Sequence, residues 1–180
     1  LKQILLLINL VSLFCFVLPG QGAAPSSEIK LKVAYLYNFA KFIHWPEDTF
    51  TDEQSPLVIG VLGKNPVESA LAPLAQKTVR NRPIVIRNFA KVEEVQDCHL
   101  LYISPSLAKP LETILGTLAS QPIVTVSDRK NFAAQGGVIQ FVTRRERLRF
   151  LVNLESALKN NIKIDSQLLS LAVDVMGMAR

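Results

Sequence analysis

Three short polar pairs could do chemistry. Lys64-Asn65, Ser104 to Ser106 and Ser127-Asp128 each follow an apolar run that reads as a buried strand. Open α/β sheets bind ligands outside the carboxyl ends of their strands, so neighbouring strands would bring Lys64, Asn65, Ser104, Ser127 and Asp128 into one small polar cleft. The same residue types cap helices and turns by default, and that alternative stands beside the cleft. Gly60-Val61-Leu62-Gly63-Lys64-Asn65 joins a strand to a helix start, as phosphate loops do, but lacks the glycine spacing of either nucleotide fingerprint.

Catalytic constellations are missing from the sequence. A serine hydrolase needs nucleophile, base and acid in contact. The two histidines are His44, at a helix end, and His99, at a strand start. About five residues of strand, ~17 Å, separate His99 from Ser104. No element carries His, Cys or carboxylate pairs at metal-ligand spacing, so neither a metal nor another cofactor is expected and the chain is read as a non-enzyme.

The charge pattern has one sharp feature, Arg144-Arg145-Glu146-Arg147-Leu148-Arg149. It suits anionic lipid headgroups or an acidic patch on a membrane-bound partner. A solvated hairpin tip that keeps edge strands from pairing explains it equally simply. Trp45, beside His44 and Pro46, is either a core aromatic or, with Phe39, part of a partner groove.

These side chains need elements to hold them. The chain of 180 residues, formal charge +5, opens on Lys2 and the apolar run 4–18, then Pro19-Gly20 and small residues. That order is a signal peptide over 1–24, with an apolar run too short for the ~20 residues of a membrane span. An exported chain is expected in the periplasm and is a poor match for nucleic acid. After processing, Cys98 is the one cysteine left, expected buried before the strand His99 to Ile103.

Residues 25–180 then read as one domain. Ile29, Val33, Leu36, Ala40 and Ile43 step along one face of a helix over 27–44, capped by Ser26 or Ser27 and ended by Trp45-Pro46. Strands are predicted at 57–62, 84–86, 99–103 and 123–126, with helices over 66–76 and from a Ser106 cap to Leu118. Gly136-Gly137 leads into a hairpin, 138–142 and 148–152, placed at one edge of the sheet. Helices at 153–159 and 166–176 close the chain. The fold class is α/β: a mostly parallel sheet with helices on both faces, plus a C-terminal β-hairpin and two closing helices.

Five segments taken in order resemble the YfiR-like family of periplasmic regulatory proteins. They are KVAYLYNFAKFIHWP (32–46), PLVIGVLG (56–63), IVTVSDRKNFAAQGGVIQF (123–141), LRFLVNLESALKNN (148–161) and IDSQLLSLA (164–172). The resemblance implies a repressor that binds the periplasmic sensory domain of an inner-membrane diguanylate cyclase, lowering cyclic-di-GMP signalling and biofilm formation. Trp45, Arg144, Arg145 and Arg147 are the residues expected at the partner contact. The resemblance also implies a homodimer, and the arginines suggest contact with a membrane surface. It implies redox control through disulfides as well, which a lone Cys98 cannot provide within one chain. A periplasmic small-molecule sensor or carrier, using the strand-end cleft, is the alternative.

Overall fold

The computed structural model describes residues 26–177, so the expected signal peptide lies outside the described residues. Ser26 caps the first helix, α1 (Ser27–Phe42), its hydroxyl accepting from the Ile29 N–H. The helix stops two residues earlier than the periodicity predicts. Ile43–His44 instead forms a short strand, β1, because Trp45-Pro46 draws the preceding backbone into the extended region. Its partner is β9 (Lys163–Ile164), in antiparallel pairing.

The main sheet contains eight strands: β2 (Leu57–Leu62), β3 (Thr78–Val79), β4 (Arg82–Phe89), β5 (Leu100–Ile103), β6 (Val124–Ser127), β7 (Ile139–Arg144), β8 (Arg147–Asn153) and β10 (Asp174–Met176). Their order is β10-β8-β7-β6-β5-β2-β4-β3. The pairs β4-β2, β2-β5, β5-β6 and β6-β7 are parallel, whereas β3-β4 and the expected hairpin β7-β8 are antiparallel. This is the expected α/β class. β2 and β5 are buried at every position, as parallel strands covered on both faces must be.

Alternation along the strands divides the core into two layers. Ile59 and Val61 of β2, Tyr102 of β5, and Phe141 and Phe150 of the hairpin face α1 through Leu36, Phe39 and Ala40. Val58, Leu62, Leu101 and Ile103 face the other side, where α3 (Leu111–Thr117) and the loop carrying Phe132 cover them. Phe39 and Phe132 are therefore core aromatics, both fully buried.

Four further elements differ from the sequence prediction. The helix over 66–76 is a single turn, α2 (Val67–Ala70), followed by a 3₁₀ stretch, Ala72–Gln76, that begins with Pro73 near its start. Strand 84–86 is the middle of the longer β4. Ser106 caps no helix. Pro105 and Pro110 hold that segment in turns, and α3 starts only after Pro110. The last helix, α5 (Ser166–Leu171), ends early, and residues 174–176 are β10, parallel to β8. Val173 and Val175 are β-branched and favour that extended path. The hairpin therefore extends the sheet beside β6, but β10 covers part of its outer strand, so it is not the edge throughout. The helix after β8, α4 (Leu154–Lys159), is capped by the Asn153 side chain, which accepts from Ser156 N–H at 2.9 Å.

Candidate functional site

The five residues expected at strand ends do converge. β2, β5 and β6 lie side by side, and their carboxyl ends carry Lys64-Asn65, Ser104 and Ser127-Asp128. The chain leaves β2 for α2, on the α1 side, and leaves β5 for α3, on the opposite side. The β2/β5 boundary is thus a topological switch point, the usual position of an open-sheet ligand crevice.

Most of their polar atoms are engaged within the fold. Ser104, fully buried, donates its hydroxyl to the Lys64 carbonyl at 3.0 Å and lies 2.8 Å from the Ser106 hydroxyl. Asn65 Oδ1 accepts from Val67 N–H at 2.9 Å, starting α2. The Ser127 hydroxyl donates to the Ile103 carbonyl at 2.7 Å and accepts from Arg129 N–H. These contacts bind neighbouring strand ends together.

Asp128 has partners that local sequence pattern does not reveal. Tyr102 OH donates to one carboxylate oxygen at 2.6 Å, and Lys32 Nζ donates to the other at 2.9 Å. Lys32 also pairs with Glu28, one helical turn earlier, at 2.8 Å. Burial pushes the Tyr102 phenol far up, and its hydrogen bond to Asp128 pushes it further. Burial alone would lower the Lys32 ammonium, but hydrogen bonds to Glu28 and Asp128 outweigh it and hold the value above its ordinary one. The phenol stays protonated and the ammonium charged. The cluster holds its protons and clasps α1 to the end of β6. One signal existed in the sequence: a lysine one turn from Leu36, on the face that otherwise steps through Leu36 and Ala40.

The opposite end of the sheet is built around His99. Its Nδ1 accepts from Val58 N–H at 3.0 Å, which puts the neutral ring's proton on Nε2, and Nε2 has no hydrogen-bond partner among the described residues. Phe50 stacks on the imidazole with centroids 4.5 Å apart, and the Arg82 guanidinium lies 3.9 Å from the Phe50 ring centroid. Trp45 Nε1 donates to the His99 carbonyl at 3.1 Å and turns its ring edge-on to the imidazole. Burial first, then Arg82, lowers the His99 value to about 4. Trp45 is half-buried and borders a groove of about 1000 Å³. That groove is lined by the apolar Pro46, Leu158, Ile162 and Ile164 and by the charged Glu47 and Asp165. Leu158 is 55% exposed.

Arg144, Arg145 and Arg147 are exposed at the hairpin. None of them, nor Arg149, belongs to an ion pair among the described residues. They lie beyond the carboxyl end of β6, whereas Trp45 packs at the amino end of β5. The residues expected at one partner contact therefore occupy opposite ends of the strands.

Cys98 is buried and free, and desolvation pushes its thiol up to about 12. Among the described residues no group of three or more His, Cys, Asp or Glu could hold a metal ion. No helix among them is long and apolar enough to cross a membrane. In comparisons with known proteins, no curated protein matches the chain, while residues 29–173 match the family described as YfiR/HmsC-like.

Proposed function

We propose, for a chain that belongs to the YfiR/HmsC-like family, a role as a periplasmic repressor. It binds the exported sensory domain of an inner-membrane diguanylate cyclase and holds that enzyme inactive, lowering cyclic-di-GMP signalling and biofilm formation. The family is a regulatory one tied to diguanylate cyclase signalling, and the match over most of the chain is the observation that carries this reading. The geometry supports it, because the strand-end side chains are engaged in internal hydrogen bonds whereas broad surfaces stay open.

The groove beside Trp45 is the surface assigned to the cyclase. Its lining mixes apolar side chains with polar and charged ones, as the surfaces of non-obligate protein interfaces do. Leu158 projects into it without structural duties that burial would show. A pull-down from inner membranes with the processed protein, read by mass spectrometry, tests the role. A cyclase recovered by wild type and lost with Leu158→Asp supports both role and groove. Recovery lost only in Arg144/Arg145/Arg147→Glu moves the contact to the hairpin. A folded wild-type protein that captures no cyclase refutes the repressor.

The small-molecule sensor remains the second reading, favoured by Lys64, Asn65 and Ser104 meeting at the switch point. A ligand there would regulate release only by binding one state more tightly than the other.

A further inference from the structure

The hairpin is more than a charged tip. β6 pairs with β7 only at Val126↔Ile139 and Ser127↔Gln140, while the β7-β8 ladder continues to Arg144↔Arg147. On the outer side β10 pairs with β8 only at Leu151, Val152 and Asn153. The distal half of the hairpin, residues 141–149, is thus a two-stranded ribbon that runs past its neighbours on both sides, the Phe150 carbonyl still accepting from Val173 N–H. Arg145 and Glu146 turn it, both with positive φ, +48° and +60°, the geometry of a two-residue type I′ turn.

Strand alternation fixes what each face carries. Phe141, Leu148 and Phe150 face α1, where Phe141 and Phe150 lie 5.0 to 5.8 Å from Tyr35 and Phe39, centroid to centroid. The register pairs Val142 with Arg149 and Arg144 with Arg147, so those four residues occupy the other face. Three guanidinium groups share one side of a rigidly rooted ribbon, and two of them are directly opposite. Like charges so placed repel. No carboxylate among the described residues pairs with them. A shallow hollow of about 820 Å³ is bordered by Arg144, Arg145, Arg147, Arg149 and Val173. Val173 is 43% exposed, and Leu171, two residues away, is 61% exposed.

We propose that this ribbon face docks on an anionic phospholipid bilayer. All four arginines are exposed and spread over an extended surface, which suits a plane of many headgroups better than an enclosed site for one small anion. Exposed Val173, bordering the hollow, adds aliphatic contact at headgroup level. Each arginine near an anionic surface multiplies the partition coefficient by roughly five. Loss of the three on the ribbon face should therefore weaken binding by roughly a hundredfold. The partner here is lipid, so the proposal does not depend on the cyclase reading.

The test is co-sedimentation of the processed protein with vesicles of equal parts phosphatidylglycerol and phosphatidylcholine, and with phosphatidylcholine alone. Wild type should sediment with the anionic vesicles only, and high salt should release it as the Debye length falls to about 3 Å. Arg144→Gln/Arg147→Gln/Arg149→Gln, at solvent-facing positions that leave the aromatic root intact, should stay in the supernatant. Val173→Ser should bind more weakly, and Leu158→Asp should bind like wild type. Equal sedimentation of wild type and the arginine variant overturns the proposal, as does wild type staying in solution with both vesicles. Should vesicles bind neither protein while a cyclase domain binds wild type alone, the face belongs to a protein and the bilayer is excluded.

Discussion

Acid should loosen this fold through His99. Unfolded, an imidazole has a value near 6.5; in the fold, burial and Arg82 bring it to about 4. Asp97 acts in the opposite sense, and Arg87 adds to the depression. A depressed value means that the fold favours the neutral ring. Its contribution is fully present above 6.5 and is lost as pH falls toward 4. The full span corresponds to about 3 kcal/mol, and a fall from about pH 7.5 to pH 5 removes about 2 kcal/mol of it. That is a large share of the ~5–15 kcal/mol stabilising a typical domain.

The assay is urea unfolding at both pH values, comparing wild type with His99→Asn. An asparagine Oδ1 stands near the position of Nδ1 and keeps an acceptor for Val58 N–H, but does not titrate. Its lost ring packing against Phe50 should make the variant less stable at neutral pH. Between the two pH values, however, it should lose about 2 kcal/mol less than wild type. At a urea slope of about 2 kcal/mol/M, the wild-type midpoint should drop by about 1 M more than the variant's. Parallel losses in the two proteins would mean that His99 does not carry the acid sensitivity, and the reasoning would fail.

Two glycines should respond in opposite directions. A Cβ on Gly137 would sit 2.1 Å from Cε1 of the buried Phe132 ring, so Gly137→Ala should cost about 1–3 kcal/mol in denaturant titration. Gly116 lies within α3 with open space around its Cβ position, so Gly116→Ala should gain up to about 1 kcal/mol. Asp128→Ala should cost about 1–3 kcal/mol by leaving Lys32 and Tyr102 without their shared acceptor. Glu28→Ala, at a largely exposed position, should cost under about 1 kcal/mol in the same measurement. Both Lys32 and Tyr102 are raised, so their contribution is whole below their unfolded values and is lost only as pH rises through the alkaline range. Cys98, 4% exposed, should resist thiol reagents in the folded protein and react fully in denaturant.

The α/β class was legible because it rests on local pattern: buried apolar runs, each ended by polar residues. The meeting of Lys64, Asn65, Ser104, Ser127 and Asp128 was legible only as a condition, because it needs β2, β5 and β6 to be neighbours and local pattern does not order strands. β10 was not legible. Leu168 to Met176 has helical spacing, and only pairing with Leu151 to Asn153 makes its last residues a strand. Ser106 was misplaced because a serine before an apolar run signals a cap, while Pro105 and Pro110 keep that backbone out of a helix. Lys32 and Tyr102 meet Asp128 across 96 and 26 residues of chain, distances over which periodicity carries no information. The arginines were visible as charge. That three of them share a face follows only from the register of a two-residue turn.

The contrast between the two ends of the sheet bears on how function is assigned. The carboxyl end carries the residues that look chemical, yet there Asp128 is shared by a phenol and an ammonium, and the serines by carbonyls. Each hydrogen bond made inside the fold offsets the cost of burying a polar atom, and disrupting it for a ligand would forfeit that gain. The arginine ribbon offers the reverse: charges that repel one another and pair with no carboxylate among the described residues, so an arriving anionic surface relieves that repulsion without breaking an ion pair there. The Trp45 groove, at the amino end, is likewise ready without rearrangement. Strands of four to six residues, with the ribbon's overhang beyond them, separate the two surfaces by more than roughly 13 Å. Substitutions that far apart act additively, so Leu158→Asp and the arginine variants should each affect its own binding event and leave the other unchanged.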